Sequence, residues 1–545
     1  TAASFGGIVT LGSDTLITGG TGKITLGSAL ANTITGAHAL TLDGAAGGTI
    51  SSALGTSTGT LTKQGTGTWT LTGANTYSGT TTISAGTLQF GNGTVTTTTM
   101  GTGPIVDNAT LQFNAASNQA FAPNTISGTG GLVVSGATAG SGTVTLRADN
   151  TFGGGVTINS GPRVIAGGSS SGNPGALTSG PLGTGTLTMA ANSQFDLAGY
   201  QIGNTLKSTG TSSSAAVIYA NASAGSVSEL TGQLDLTTAN AYFKLSPSAG
   251  NTLKLSGTLS NSTGVSPPFV LGQSGAGDVL AQFSSVPNFY QFDVLSGAGK
   301  WTVGNSLSGS LAGFNLAGGT LDMAGFDLGS AAGATAKLRG VFAGGTLTNS
   351  GSTTSTVTNE GINITQNVTI STPNTTGHID LSKPNYIYGT GLTGLTITKT
   401  GPGDLHLVGS SLSTPLYPND YNVNVQGGNL WYEVPVSGVG GFQGPIALAT
   451  GSTLYMNTNT GTTVSGAISG DGSVVVKAST TFSGANTYTG GTTVLNGATV
   501  TLGRAAVMNG STITSSAIGT GTLTLGDATT SGAVSLNGYA LLPNN

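Results

Sequence analysis

Apolar and hydroxyl-bearing residues alternate along this chain in runs of four to six, and a Gly, Asn or Ser returns before any run can lengthen. Gly7-Ile8-Val9-Thr10-Leu11-Gly12 and Gly22-Lys23-Ile24-Thr25-Leu26-Gly27 set the pattern at once. A period of two puts alternate side chains on opposite faces of an extended strand, and Thr, Val, Ile and Leu suit such a half-buried surface. No stretch carries apolar residues at helical spacing between caps for three turns, so an all-β chain is expected. The Thr, Ser and Ala run at 211–224 reads as an irregular loop. Pro267-Pro268, Pro415 to Pro418 and Pro543 mark loops or edges, because proline cannot donate to a ladder.

The strands are organised by a repeat. TGANTYSGTTTISAG at 72–86 returns as SGANTYTGGTTVLNG at 483–497, matching at nine of fifteen positions across 411 residues, and a worn copy, RADNTFGGGVTINSG, stands at 147–161. Lys63-Gln64-Gly65-Thr66-Gly67 precedes the first copy, and Lys399-Thr400-Gly401-Pro402-Gly403 opens a fourth, interrupted one that closes at Val425-Gln426-Gly427-Gly428-Asn429-Leu430. Ile126-Ser127-Gly128-Thr129-Gly130 likewise pairs with Ile468-Ser469-Gly470-Asp471-Gly472. Reuse of one unit over such distances indicates a repeat architecture. Asn75, Asn150 and Asn486 hold one place in the unit, where a turn needs either positive φ or a side-chain bond to the backbone.

These phrases resemble the passenger-associated transport repeat of autotransporter passengers and other bacterial surface proteins. The resemblance covers residues 50–90, 126–165, 395–432 and 467–502. It implies a right-handed parallel β-helix, secreted or displayed at the cell surface, and no particular activity. On that basis residues 1–545 are expected to form a single continuous β-solenoid. At roughly 20 to 25 residues per coil the chain would wind on the order of 25 coils. Leu71, Ile83, Leu88, Val494 and Val500 would line the interior.

Composition narrows the function. Gly numbers 94 and only 6% of residues are charged, yet 37% are hydrophobic, which is the balance of short strands joined by tight turns rather than of a disordered linker. The net charge is −4 and the 14 Lys and Arg are scattered singly, so no basic stripe exists to neutralise phosphates and nucleic acid is not an expected partner. No run approaches the ~18 apolar residues that span a bilayer, so membrane insertion is not expected. The absence of Cys removes disulfides and thiolate metal sites. Thr1 opens without signal-peptide regions and Asn545 closes without a translocator barrel, so the sequence reads as mature or trimmed. Neither end shows a recognisable cap, which leaves two accounts open: copies of the chain meeting end to end, or a cap that the sequence does not reveal.

Candidate chemistry is sparse. Enzymes built on β-helices gather carboxylates with Arg or Lys on one face, whereas 18 carboxylates are spread singly here. The best cluster is Glu360, His378, Asp380 and Lys383, with His378 and Asp380 two apart on one strand face. A solvated polar face accounts for it better than catalysis or a metal, and neither an enzyme, a metal nor a cofactor is expected. Gly168-Ser169-Ser170-Ser171-Gly172 has nucleophile-elbow spacing without the strand–turn–helix context that gives it meaning. Aromatics crowd at Tyr386, Tyr388, Tyr417, Tyr421, Trp431 and Tyr432, a set that could bind surface glycan or protein, and again at Phe283, Phe289, Tyr290, Phe292 and Trp301. Stacking inside wider coils accounts for both better than binding does. The expected role is mechanical: an extracellular rod acting as fibre subunit or adhesive stalk, with a monomeric adhesin and a polysaccharide-active enzyme as alternatives.

Overall fold

The computed structural model describes residues 2–27, 33–136, 142–159, 161–211, 213–236, 241–260, 270–286, 290–305, 311–329, 339–358, 361–382, 387–388, 394–408, 421–434, 441–458 and 461–538. They fall into two compact units, Thr1–Pro287 and Asn288–Asn545. No helix occurs among the described residues, and nearly all strand pairs are parallel between successive coils. The all-β chain expected from the alternation, and the parallel solenoid that the resemblance implies, are what form, in about 18 turns. The expected count of coils was higher because loops lengthen many of them. Paired residues of successive coils lie from 18 apart, as at Val474 and Thr492, to 36 apart, as at Thr499 and Ser535.

In the first unit twelve strands, from Ala3–Phe5 to Leu259–Ser260, stack into one sheet. Its register aligns like with like. Leu88 lies between Trp69 and Leu111, and Phe90 between Leu71 and Phe113. The inward column Ile50, Leu71, Phe90, Phe113, Val134, Ile158, Met189 runs unbroken through seven coils, every member buried. Each such side chain contributes about 1.5–3 kcal/mol by leaving water. Ile83, Val494 and Val500 are equally buried, as the alternation requires. The second unit repeats the device with Val357, Leu381, Leu407, Tyr432, Met456, Val476 and Val494.

Two expectations are refined. Residues 211–224 are not one loop: Ala216–Ala220 is a strand between Gln194–Asp196 and Tyr242–Pro247, with Ala216, Ile218 and Ala220 inward. The Ser-rich flanks concealed its alternation. The second aromatic cluster goes inside, with Phe283, Phe292 and Trp301 buried and the Phe292 and Trp301 rings stacked at 5.0 Å. Phe289 and the Tyr290 side chain lie outside the described residues. Gly168–Gly172 runs into an antiparallel hairpin, Ser171–Asn173 with Ala176–Ser179.

The corners explain the repeat. Asn75, Asn150 and Asn486 are buried, and none has positive φ. Each instead bridges three coils through its amide. Asn75 Oδ1 accepts from the Leu54 N–H at 3.0 Å while Nδ2 donates to the Thr99 carbonyl at 2.7 Å. Asn150 accepts from Ile126 and donates to Pro181, and Asn486 accepts from Ile468 and donates to Ala517. The lysines are inside as well. Lys63 Nζ donates to the carbonyls of Gln64, Gly65 and Ala85 at 2.7, 2.7 and 2.8 Å, and Lys399 Nζ to those of Thr400, Gly401 and Gly427 at 2.9, 2.8 and 3.0 Å. Three acceptors match the three donors of an ammonium. Gly86 and Gly428 close these corners at φ +65° and +66°, where a Cβ would strike the Gly65 and Gly403 carbonyls.

Removing a staple leaves buried backbone groups unpaired, so Asn486→Ala should cost roughly 2–4 kcal/mol, read as a fall in the urea midpoint of unfolding. Asp107 carries a pH-dependent liability. It is fully buried, its Oδ1 accepts from the Ala109 N–H at 3.1 Å, and its Oδ2 has no hydrogen-bond partner. Burial pushes its carboxyl from 3.8 up to about 6. A raised folded-state value stabilises the fold below the unfolded value, and that stabilisation is lost as pH rises through about 6. Asp107→Asn should therefore be close to neutral at about pH 4 and stabilising by roughly 1–2 kcal/mol at about pH 8 in the same measurement.

Candidate functional site

The second unit gathers most of the chain's unusual side chains on one outward face. Its inward column is Ile379 and Leu381, Leu405 and Leu407, Leu430 and Tyr432, Leu454 and Met456 on four successive coils. Alternation forces the residue between each pair outward. Asp380, His406, Trp431 and Tyr455 consequently stand in register, one per coil. The chain has three His and three Trp. Two of the former and one of the latter meet here.

The rings stack along the coil direction. Centroids are 5.8 Å apart for His378 and His406, 5.4 Å for His406 and Trp431, and 4.1 Å for Trp431 and Tyr455, whose planes differ by 8°. Lys477 Nζ sits 4.4 Å from the Trp431 ring centroid and 5.2 Å from that of Tyr455, at cation–π distance from both.

A polar column runs alongside. Asp404 Oδ1 accepts from Asn429 Nδ2 at 2.8 Å, and Oδ2 from Trp431 Nε1 at 3.0 Å. His378 Nδ1 lies 3.8 Å from Asp404 Oδ2 and accepts the Asp404 N–H at 3.4 Å. His406 Nδ1 lies 3.4 Å from Asp380 Oδ1. Burial pushes the Asp380 carboxyl upward, and the Glu433 and Asp327 charges add to this against the opposing pull of His406 and His378. Glu433 also accepts from Asn457 at 3.2 Å. One donor atom each from His378, Asp404 and His406 falls within 4.8 Å of the others, a set able to hold a metal ion.

The sequence-predicted residues divide. Trp431 faces outward and is half-buried. Tyr421 and Tyr432 face inward at 1% and 8% exposure, each edge-on to Phe442, which corrects their placement on an exposed face. Burial drives the Tyr421 phenol far above its usual range. Tyr388 lies in the strand Ile387–Tyr388, with its side chain outside the described residues, as are Tyr386 and Tyr417 altogether. Of the polar cluster, His378 and Asp380 do share a face, while Glu360 and Lys383 lie outside the described residues. Missing from the expected set were Asp404, His406, Tyr455 and Lys477, each a coil or more away in sequence.

A parallel β-solenoid whose corners are tied by a repeated Asn and a buried Lys is a repeat protein of stacked coils. The Passenger-associated-transport-repeat family profile matches residues 61–90, 137–161 and 478–502. The chain thus carries passenger-associated transport repeats on a β-solenoid, consistent with an autotransporter passenger repeat protein. No curated protein and no solved structure matches it. Residues 395–432 lie outside the matched stretches, yet Lys399 reproduces the contacts of Lys63.

Trp69 and Trp301 are buried at 0% and 1% exposure, so Trp431 supplies the indole that solvent reaches. Acrylamide should quench part of the tryptophan emission, and Trp431→Phe should abolish that part while leaving the shielded remainder.

Proposed function

We propose that this chain is the mechanical rod of a secreted or surface-displayed bacterial protein, a fibre subunit or stalk rather than an enzyme. The repeat family implies secretion or surface display and suggests a non-enzymatic structural domain. The observation that carries the reading is the unbroken register within each unit, where one side-chain column passes through coil after coil and buried Asn and Lys tie three or two coils together. Within each unit such a stack resists shear because each interior coil is bonded on both sides.

Two further features bear on how the rod is used. Phe5, Ile8 and Leu16 on the outermost described coils of the first unit, and Leu525 at the far edge of the second, are 52%, 69%, 56% and 52% exposed. Phe5 and Leu525 continue inward columns, in keeping with a stack extended by more chain or by another copy. Trp431 serves sugar binding poorly, since its faces are occupied by His406 and Tyr455 and it turns an edge to solvent. Electron microscopy of the purified chain at rising concentration separates the uses. Rods exceeding one chain length mark a fibre subunit; uniform single-chain rods at all concentrations mark a stalk; compact particles overturn the proposal.

A further inference from the structure

We infer that His378, Asp404 and His406 form a binding site for a divalent transition-metal ion of the Zn2+ type, pinning two successive coils of the second unit. The inference stands independently of the mechanical role, because it rests on donor geometry alone.

The three donors converge. His378 and Asp404 occupy equivalent corners of adjacent coils, and His406 is two residues beyond Asp404, on the same face by alternation. Their donor atoms lie within 4.8 Å of one another. Because the Asp404 N–H reaches His378 Nδ1, that nitrogen bears its lone pair, and it faces Asp404 Oδ2 across 3.8 Å. With Zn–N and Zn–O bonds of about 2.0–2.2 Å, tetrahedral donors sit roughly 3.3–3.5 Å apart, so donors that now lie within 4.8 Å need to close by at most about 1.5 Å, within the reach of side-chain rotation.

The surroundings orient the donors as metal sites require. Asn429 and Trp431 fix the Asp404 carboxylate from the next coil, each occupying one oxygen with a single bond and leaving lone pairs free. Asp380 Oδ1 stands 3.4 Å from His406 Nδ1, a carboxylate placed where it can take up the imidazole proton contact as carboxylates beside metal-bound histidines do. Asp380, Glu433 and Asp327 add negative charge around the site. Two imidazoles and one carboxylate, with no thiolate, select a borderline ion such as Zn2+, Co2+ or Ni2+ over Ca2+ or Mg2+. The ion would cross-link two coils directly and a third through the Asp404–Trp431 bond, locking the ring stack in place.

Co2+ serves as the spectroscopic probe. The full chain, freed of metal by chelator and dialysed, should bind one equivalent of Co2+ with visible absorption of a low-symmetry nitrogen–oxygen site, displaced by Zn2+. His378→Gln and His406→Gln should each weaken Co2+ binding at least about tenfold and Asp380→Asn by a similar factor, with circular dichroism unchanged, whereas His38→Gln should bind like the parent. Absence of binding at tens of micromolar metal, on the order of the weakest specific site worth the name, overturns the inference. So does binding that survives both His378→Gln and His406→Gln, or that His38→Gln abolishes.

Discussion

Parallel, in-register stacking of coils is the constraint from which the rest of this structure follows. When each strand bonds to the equivalent strand one coil before and one after, every side chain acquires a fixed neighbour above and below. The strands solve their own backbone pairing. The corners do not, because the chain turns there and carbonyls point inward without a strand opposite. An unpaired buried carbonyl costs about 1–3 kcal/mol, and a corner repeated through a stack repeats that cost. Lys63 and Lys399 answer it by placing a three-donor head among three carbonyls, two from their own corner and one from the next coil. Burial pulls Lys399 down to about 8, against the favourable charge of Asp404. The ammonium is tolerable in so dry a place only because every hydrogen is given a partner.

The same logic appears in how the copies have diverged. Tyr77 is buried and its hydroxyl bonds Thr81 at 2.8 Å; Tyr488 bonds Thr492 in the corresponding place. In the worn copy these positions are Phe152 and Val156, both buried. Both hydroxyls are gone together. Replacing both partners of a buried hydrogen bond with apolar side chains of like shape is nearly neutral. The Asn of the staple, by contrast, survives in all three copies, because its partners are backbone groups that no substitution can remove.

How much of this was legible depended on whether the signal was local. Alternation at Leu71, Ile83, Leu88, Val494 and Val500 announced the interior directly, and the Asn-Thr-Tyr phrase announced the coil. The destination of the Lys63 head was not visible, since lysine on a strand ordinarily faces water and its carbonyl partners are set by the corner's shape. Tyr421 and Tyr432 looked like members of an exposed cluster because six aromatics are close in sequence. Parity separates them: Trp431 and Tyr432 are adjacent and so face opposite ways. The Ala216–Ala220 strand was hidden by Ser and Thr on either side, which say turn when read by composition alone.

The outward face shows why sites in such a fold escape a reading along the chain. Neighbours on that face are a coil apart in sequence, and coil length varies from 18 to 36 residues between successive bonded positions. His378 and Asp380 share a strand edge and could be paired by counting, but joining them to His406, Trp431 and Tyr455 requires the register of four coils. A solenoid built from Thr and Gly supplies almost no chemistry of its own, so rare residues acquire meaning only when register brings them into one column. Here two aromatic rings, two carboxylates and two imidazoles do so within a few coils. Sequence neighbours with opposite parity, such as Trp431 and Tyr432, are then divided between that face and the core.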